Sequence, residues 1–373
     1  MSNIDEIIKS AENILFKKKT PVSFKEFVES EDFCNDSSIY EFWLKEGSCI
    51  PANCNELVVD GSLGSGKTTF TVYWFAYKVY CMFLNGASYL RAQLNLSENS
   101  DLYGLYFSVS MTIARKSGYK QLQGVFKSCK WFKENMPVNE DLQSSIQFPS
   151  ARFEVDYASS EGHQISLNVI IFILDEANFR SGVGEGTSQE YLEVTQIYSQ
   201  LIDRLYSRFA RPDGSSAGFA MLVSSASYQS SFAEKRREIV ENDKWGHHIR
   251  GVTYKVKPQN YSKETFEVFI GTGTIEPQII NSEQQKQNII KSLNMEGTNL
   301  YENLFEKVPV SIKKFYVQNI NLALQNHSGV PTQIKGRFLQ DMTLLTKSYS
   351  EDEKFIFSQQ VLSLSADDDI QLI

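Results

Sequence analysis

The sequence predicts an α/β fold, with a mostly parallel central sheet flanked by helices on both faces. Three observations predict it. A short apolar run, Glu56 to Val59, leads into a glycine-rich loop that opens a strongly apolar stretch, Phe70 to Leu84. A second apolar run, Val169 to Leu174, ends in the adjacent acids Asp175 and Glu176. A third, Gly218 to Val223, ends in small hydroxyl residues. Strand-like and helix-like stretches alternate around them, as parallel pairing demands, because each parallel connection needs a crossover.

Taken in order, residues 1–50 read as a polar helical segment packing on the core, with Lys17, Lys18 and Lys19 as a solvated basic face. The loop that follows, VDGSLGSGKTTF, has Gly61, Gly66, Lys67 and Thr68 at the fixed places of a phosphate-binding loop. Its glycines let the backbone turn tightly and aim amides at one anion. The helix opening near Gly66 adds the positive end of its dipole. The residues predicted to cradle a nucleotide are Gly61, Ser62, Leu63, Gly64, Ser65, Gly66, Lys67, Thr68 and Thr69. Lys67 is expected on the β- and γ-phosphates and Thr68 on Mg²⁺. The apolar helix after the loop is too short for a bilayer and carries Lys78 at its middle.

Downstream, Tyr103 to Ser110 reads as a strand, Met111 to Phe126 as a helix, and Ile146 to Tyr157 as a hairpin around Pro149-Ser150. The acids after the second apolar run sit where open α/β sheets bind ligands. Asp175 is expected to hold Mg²⁺, and Glu176 to orient or deprotonate the attacking water. The helix predicted over Tyr191 to Phe209 ends in basic residues, with Arg204, Arg208 and Arg211. Ser225, Ala226 and Ser227 lie where a strand end can report the state of a γ-phosphate, and serines there are also ordinary turn formers. Phe232 to Asn242 is a charged helix, and His247 to Val256 and Phe266 to Ile270 read as strands. Beyond about 275 the chain turns polar, and beyond about 310 it reads as helices with an acidic tail, Asp367 to Asp369.

The net charge of −8 excludes a protein coated in basic charge but leaves room for one basic face. Lys235-Arg236-Arg237 and Lys313-Lys314 are candidate backbone contacts to a nucleic acid. Five irregularly spaced cysteines point to reduced thiols and away from a zinc site. The polar N-terminus is no signal peptide, and a soluble cytoplasmic protein with no membrane contact is expected. Tyr40 and Trp43 are candidates for stacking on a base, although aromatics of this kind more often belong to a core.

The motifs together resemble the large terminase subunit of tailed bacteriophages, the motor that packages double-stranded DNA. The stretches that carry the resemblance are GSLGSGKTT, FKSCKWFKENM, IQFPSARFEV, ILDEANF, DRLYSRF, LVSSAS, TYKVKPQNYSKETFEVFIG and FYVQNINLALQNHSGV, in that order. The resemblance implies a P-loop NTPase of the additional-strand, catalytic-glutamate type over 51–275. It also implies a small helical linker subdomain, with the acidic tail, over 276–373. It implies ATP and Mg²⁺ as cofactors, with Lys67 and Thr68 on phosphate and metal, Asp175 on Mg²⁺, Glu176 as the catalytic carboxylate and Ser225 to Ser227 as the coupling segment. Its implied partners are double-stranded DNA, a portal protein, a small terminase subunit and further copies of itself, in a ring of five on the capsid, transiently at the procapsid portal in the host cytoplasm. A ring would bring an arginine of one subunit onto its neighbour's nucleotide; Arg204 and Arg208 are the candidates, with Arg152 and Arg180 behind them.

Two departures stand out. Many members carry an arginine early in the loop where this chain has Ser62. The family's nuclease domain, which needs separated carboxylates on strands, is not expected here, so endonuclease activity is predicted absent, the chain being either a truncation or one part of a split gene. The other readings are a helicase-type or other P-loop nucleic-acid-dependent ATPase, a nucleotide-holding switch and a small-molecule kinase. A helicase would want a second motor lobe, a switch has no need of Glu176, and a kinase would want a basic lid.

Overall fold

The computed structural model describes residues 19–108, 118–140, 142, 145–158, 167–177, 188–294 and 301–333. Seven strands form the main sheet: β1 (Glu56–Gly61), β2 (Leu102–Phe107), β3 (Ile146–Phe148), β4 (Phe153–Ala158), β5 (Val169–Asp175), β6 (Phe219–Val223) and β7 (Gly246–Gly251). Their spatial order is β3-β4-β2-β5-β6-β1-β7. All neighbours are parallel except the edge pair β3–β4, which is antiparallel. The predicted α/β architecture and the hairpin at its edge are therefore present. One strand, β6, separates the strand that feeds the glycine-rich loop from the strand that ends in Asp175.

Alternation along these strands divides the core into two layers. Leu57 and Val59 of β1, Ile171 and Ile173 of β5, and Phe219, Met221 and Val223 of β6 face one side. There they meet α1 (Phe24–Glu29), α2 (Glu41–Cys49), α3 (Lys67–Phe83), α5 (Gly118–Ser128) and α6 (Lys130–Asn135), while α4 (Ala87–Gln93) caps the same layer. Val58, Phe172, Leu174, Ala220 and Leu222 face the other side, against α7 (Ser188–Phe209) and α8 (Phe232–Glu241). Two buried ion pairs tie α8 to the sheet. Arg236 pairs with Glu56, whose side chain is almost wholly buried, and Arg250 of β7 reaches both Asp60 and Glu234.

After β7 the chain forms α9 (Thr253–Val256), a second sheet, α10 (Glu283–Ser292), α11 (Lys313–Gln318) and α12 (Ile320–Ala323). The second sheet is antiparallel, in the order β10 (Phe305–Pro309), β8 (Thr265–Phe269), β9 (Gln278–Ile280). It closes a third core around Tyr254, Val268, Val308, Tyr316 and Leu324.

Three expectations change here. The region after 276 is not purely helical, because β9 and β10 both pair with β8, and the division expected at 275 falls between two hydrogen-bonded strands. A three-residue strand in a polar setting carries too little alternation to be read from sequence. The strand expected through Val256 ends at Gly251, where a Cβ would lie 2.4 Å from the Trp43 ring, and the chain turns helical at Thr253. The expected helix from 111 is helical over Gly118–Ser128, and residues 109–117 lie outside the described ones. No helix among the described residues is long and apolar enough to cross a membrane.

Candidate active site

The glycine-rich loop runs from the end of β1 into α3, and its backbone needs its glycines. Gly61, Gly64 and Gly66 have φ of 132°, 67° and 86°, values that side chains resist. At Gly61 a Cβ would also lie 2.2 Å from the carbonyl oxygen of Gly251. From Gly64 to Thr69 no backbone amide donates to another group among the described residues. Six consecutive donors without an acceptor among the described residues, at the start of a 17-residue helix, are what an oligophosphate requires.

Lys67 is buried at 8% exposure, and its Nζ donates to the Ser62 carbonyl at 2.6 Å. Burial pulls its pKa down to about 8, against the opposing charges of Asp60 and Asp175. Thr68 and Thr69 are partly buried, and Gln121 donates to the Thr69 hydroxyl at 3.2 Å.

Asp175 ends β5 and is 6% exposed. Its Oδ2 accepts the Tyr106 hydroxyl at 2.5 Å, and its Oδ1 accepts the Glu176 amide at 2.9 Å. Burial pushes its pKa up to about 6, with the Tyr106 hydrogen bond and the Lys67 charge pulling the other way. Gly118 provides the room for that phenol, since a Cβ there would lie 1.7 Å from the Tyr106 oxygen. Glu176 is held at φ 59°, a left-handed conformation that a glutamate rarely adopts, while Ala177 returns to register by donating to the Val223 carbonyl. Among the described residues no three acids, histidines or cysteines gather to hold a metal. Mg²⁺ takes one or two protein ligands and completes its shell with phosphate and water. The buried carboxylate of Asp175 and the Thr68 hydroxyl are the residues that fit it.

The loop is braced from behind. Trp43 donates its indole N–H to the Ser65 carbonyl at 2.8 Å and stacks on Phe70 at 4.7 Å. At 1% exposure Trp43 is core, not a stacking surface for a base. Tyr40 carries Lys257 Nζ 4.8 Å from its ring centroid. The same ammonium donates to the Gly64 carbonyl at 2.7 Å. Ser62 Oγ bonds Thr253, and Thr253 Oγ1 donates to the Leu63 carbonyl.

The coupling segment predicted at Ser225 to Ser227 lies against this loop. The Ala226 amide donates to the Gly61 carbonyl at 2.9 Å. The Ser227 carbonyl accepts from the Thr332 amide and from Gln325 Nε2. The stretch around residues 325–332 also holds the loop directly, because the Asn326 carbonyl accepts the Leu63 amide at 2.9 Å. Sequence reasoning missed Tyr106, Thr253, Lys257 and Asn326. The GVTYKVK and ALQNHSG stretches hold all but Tyr106, yet no single residue in them announces a contact with a loop so far away in the chain.

The arginines fall elsewhere. Arg208 pairs with Asn168 and Leu167 at the start of β5, the far end of the sheet from the loop. Arg204, one turn earlier on α7, has a buried Nη1 with no partner among the described residues. Arg152 pairs with Asp101, and Arg180 lies outside the described residues. None of the described three joins the phosphate loop of its own chain. Arg236 and Arg237 are engaged with Glu56, Glu234 and Glu241, so two of the basic residues considered for a nucleic-acid contact serve inside the fold. Lys313 and Lys314 lie over the Phe266 and Phe315 rings.

No protein-family model matches the chain, and no curated protein matches it. Solved structures similar to it include large terminases of bacteriophages. That of the thermophilic bacteriophage D6E, in complex with ATP-gamma-S, is 13% identical with a TM-score of 0.38 over 68% of this chain and 49% of that one. The same protein in complex with ADP is 12% identical with a TM-score of 0.35, over 61% and 53%. The large terminase of bacteriophage HK97 is 13% identical with a TM-score of 0.39, over 74% and 53%. The chain thus spans about half the length of these structures.

Proposed function

We propose that the chain is an ATP-hydrolysing domain, and that it couples hydrolysis to the translocation of double-stranded DNA as a terminase large subunit does. The observation that carries the hydrolase reading is the run of amides from Gly64 to Thr69 that have no partner among the described residues, set beside Lys67 and Asp175, whose charges bear on one another. The amides and Lys67 would bind the phosphates and meet the negative charge that develops on them. Glu176, fixed by its strained backbone at the end of β5, would orient the attacking water and accept its proton. Mg²⁺ held by Thr68 and Asp175 would supply charge neutralisation on the β- and γ-oxygens.

The motor reading rests on the motif order and on the hydrogen bonds joining the segment Ser225 to Ser227 to the loop and to residues 325–332. A change at the phosphates would pass through the Gly61 carbonyl to Ala226. Since Arg204 and Arg208 lie away from their own loop, a transition-state arginine from either would have to come from a neighbouring subunit, as in a ring on a portal protein, where a small terminase subunit would also be a partner. The test is ATP turnover by the purified chain with and without double-stranded DNA, beside Glu176→Gln. Turnover lost in the variant with ATP binding kept is the expected result; equal turnover in both removes Glu176 from its role.

A further inference from the structure

At the other end of the sheet, next to Asn55 before β1 and Gly218 before β6, a cleft of about 350 Å³ opens between α3, α4 and the last turn of α7. We propose that this cleft is a second ligand site, and that it takes a small phosphate-bearing molecule. Lys78, Arg208 and Arg211 line it, and among the described residues no aspartate or glutamate does.

Lys78 is the deepest of the three. It lies eleven residues after Lys67 on α3, about 16 Å along the helix axis, so the two lysines serve separate ends of one helix. Its Nζ sits 4.5 Å from the centroid of the Phe219 ring, and among the described residues it has no ion pair or hydrogen bond. The groups whose charge bears on it are the thiols of Cys81 and Cys54 and the guanidinium of Arg211, a like charge; burial lowers its pKa first, and Arg211 lowers it further. Arg211 is exposed and makes no ion pair within 4 Å among the described residues. Asp213, two residues on, feels its charge, but its Oδ1 accepts from the Ser215 amide and hydroxyl. Arg208 donates from its Nη1 to the neutral partners Asn168 and Leu167, and it makes no ion pair within 4 Å among the described residues.

Cations that line one cleft, with no acid among its described lining residues, repel one another unless an anion joins them. Lys78 and Arg211 together call for two negative charges, which a phosphate monoester or pyrophosphate carries and a single carboxylate does not. An arginine fork beside a point-charge ammonium suits phosphoryl oxygens. Tyr89 and Gln93 on the rim add an aromatic face and an amide for the rest of the ligand. The recessed position of Lys78 favours a small phosphate over the backbone of a DNA duplex, which would meet the exposed arginines first.

The test uses the full chain carrying Lys67→Ala, which weakens the phosphate loop, titrated calorimetrically with pyrophosphate and, in parallel, with a short DNA duplex. One pyrophosphate per chain is expected, with affinity falling tenfold or more on adding Arg211→Gln and lost on adding Lys78→Met. Arg211 is exposed, so its variant remains informative even where Lys78→Met fails to fold. No pyrophosphate binding in the Lys67→Ala protein, or binding that neither substitution moves, overturns the proposal. Loss of duplex binding alone, with pyrophosphate unaffected, overturns it in favour of a DNA contact. Arg211→Gln in the otherwise native chain should keep its ATP turnover, so the cleft and the hydrolase reading can fail independently.

Discussion

Tyr106 donates a hydrogen bond from its hydroxyl to Asp175 at 2.5 Å, inside a site where both side chains are buried. The phenol stays protonated throughout the working range, because burial raises its pKa well above the ordinary value and the Asp175 charge adds to this. The bond therefore always favours the charged carboxylate, against the burial that opposes it. Tyr106→Phe keeps the ring and removes only this help. The Asp175 pKa should then rise above about 6. Mg²⁺-dependent turnover should fall several-fold at pH 6 and much less at pH 8. A pH profile shifted equally at both ends would show that the bond does not tune Asp175.

The native site should show two pH limbs. Below about 6 a proton competes with the metal for Asp175; above about 8 Lys67 loses the charge that meets the phosphates. Bound phosphate favours charged Lys67, so binding above pH 8 takes up a proton. The dissociation constant for ATP should then rise by up to tenfold per pH unit. Calorimetry at pH 9 in buffers of different ionisation enthalpy measures that uptake directly, and its absence would separate Lys67 from the phosphates.

Burial of Lys67 has a second consequence, for stability. Its folded pKa, about 8, lies below the ordinary 10.5, so the charged form opposes folding. That penalty is full below pH 8 and disappears as the pH rises past 10.5. Lys67→Met should therefore stabilise the nucleotide-free protein at pH 7 by about 1–2 kcal/mol while abolishing nucleotide binding. Thermal denaturation of the two proteins without nucleotide decides it; a lower midpoint in the variant would mean that the bonds to the loop carbonyls outweigh desolvation.

How much of this was legible follows from how local each signal is. The loop could be read because a glycine pattern, a lysine and a threonine are adjacent in sequence, and Asp175 and Glu176 because two acids end an apolar run. The bracing of the loop could not. Trp43, Thr253, Lys257 and Asn326 reach it from four separate segments, and each is an ordinary residue in its own stretch. Tyr106 looked like one of several strand aromatics, and only the pairing of β2 with β5 brings it to Asp175. The position of the arginines is hidden for the same reason: the end of a helix marks a basic turn but not which end of the sheet it reaches.

Asp60, just before the loop, should govern acid stability. Burial would raise its pKa, but the hydrogen bonds from His248 and Arg250 hold it well below the usual carboxylate range. Arg250 grips it at 3.0 and 2.8 Å. A depressed folded pKa contributes stability that is present above the ordinary 3.8 and lost as pH falls through the range below it. Arg250→Met should cost about 3–4 kcal/mol at pH 7, the lower part of the range for a broken buried pair because the arginine is partly exposed. It should also move the acid unfolding midpoint upward. Denaturant melts at pH 7 and pH 4 measure both effects.

Gly329 packs its backbone closely against the nucleotide loop. Its φ is 64°, and a Cβ there would lie 2.7 Å from both the Gly61 Cα and the Ser62 nitrogen. Neither neighbour is the end of a flexible side chain, so Gly329→Ala must push the loop or itself move away. If it moves, the Asn326 carbonyl leaves the Leu63 amide and the segment releases Ser227. If the loop moves, the amides after Gly64 lose their shape. Either displacement should weaken ATP binding by about tenfold or more, as rearranged contacts of this kind cost about 1–3 kcal/mol. The fold should survive, since the main sheet and its two cores lie elsewhere. ATP affinity by calorimetry, alongside a thermal melt, separates the outcomes. Affinity unchanged with a lowered melting point would make Gly329 a packing residue only, with no hold on the phosphate loop.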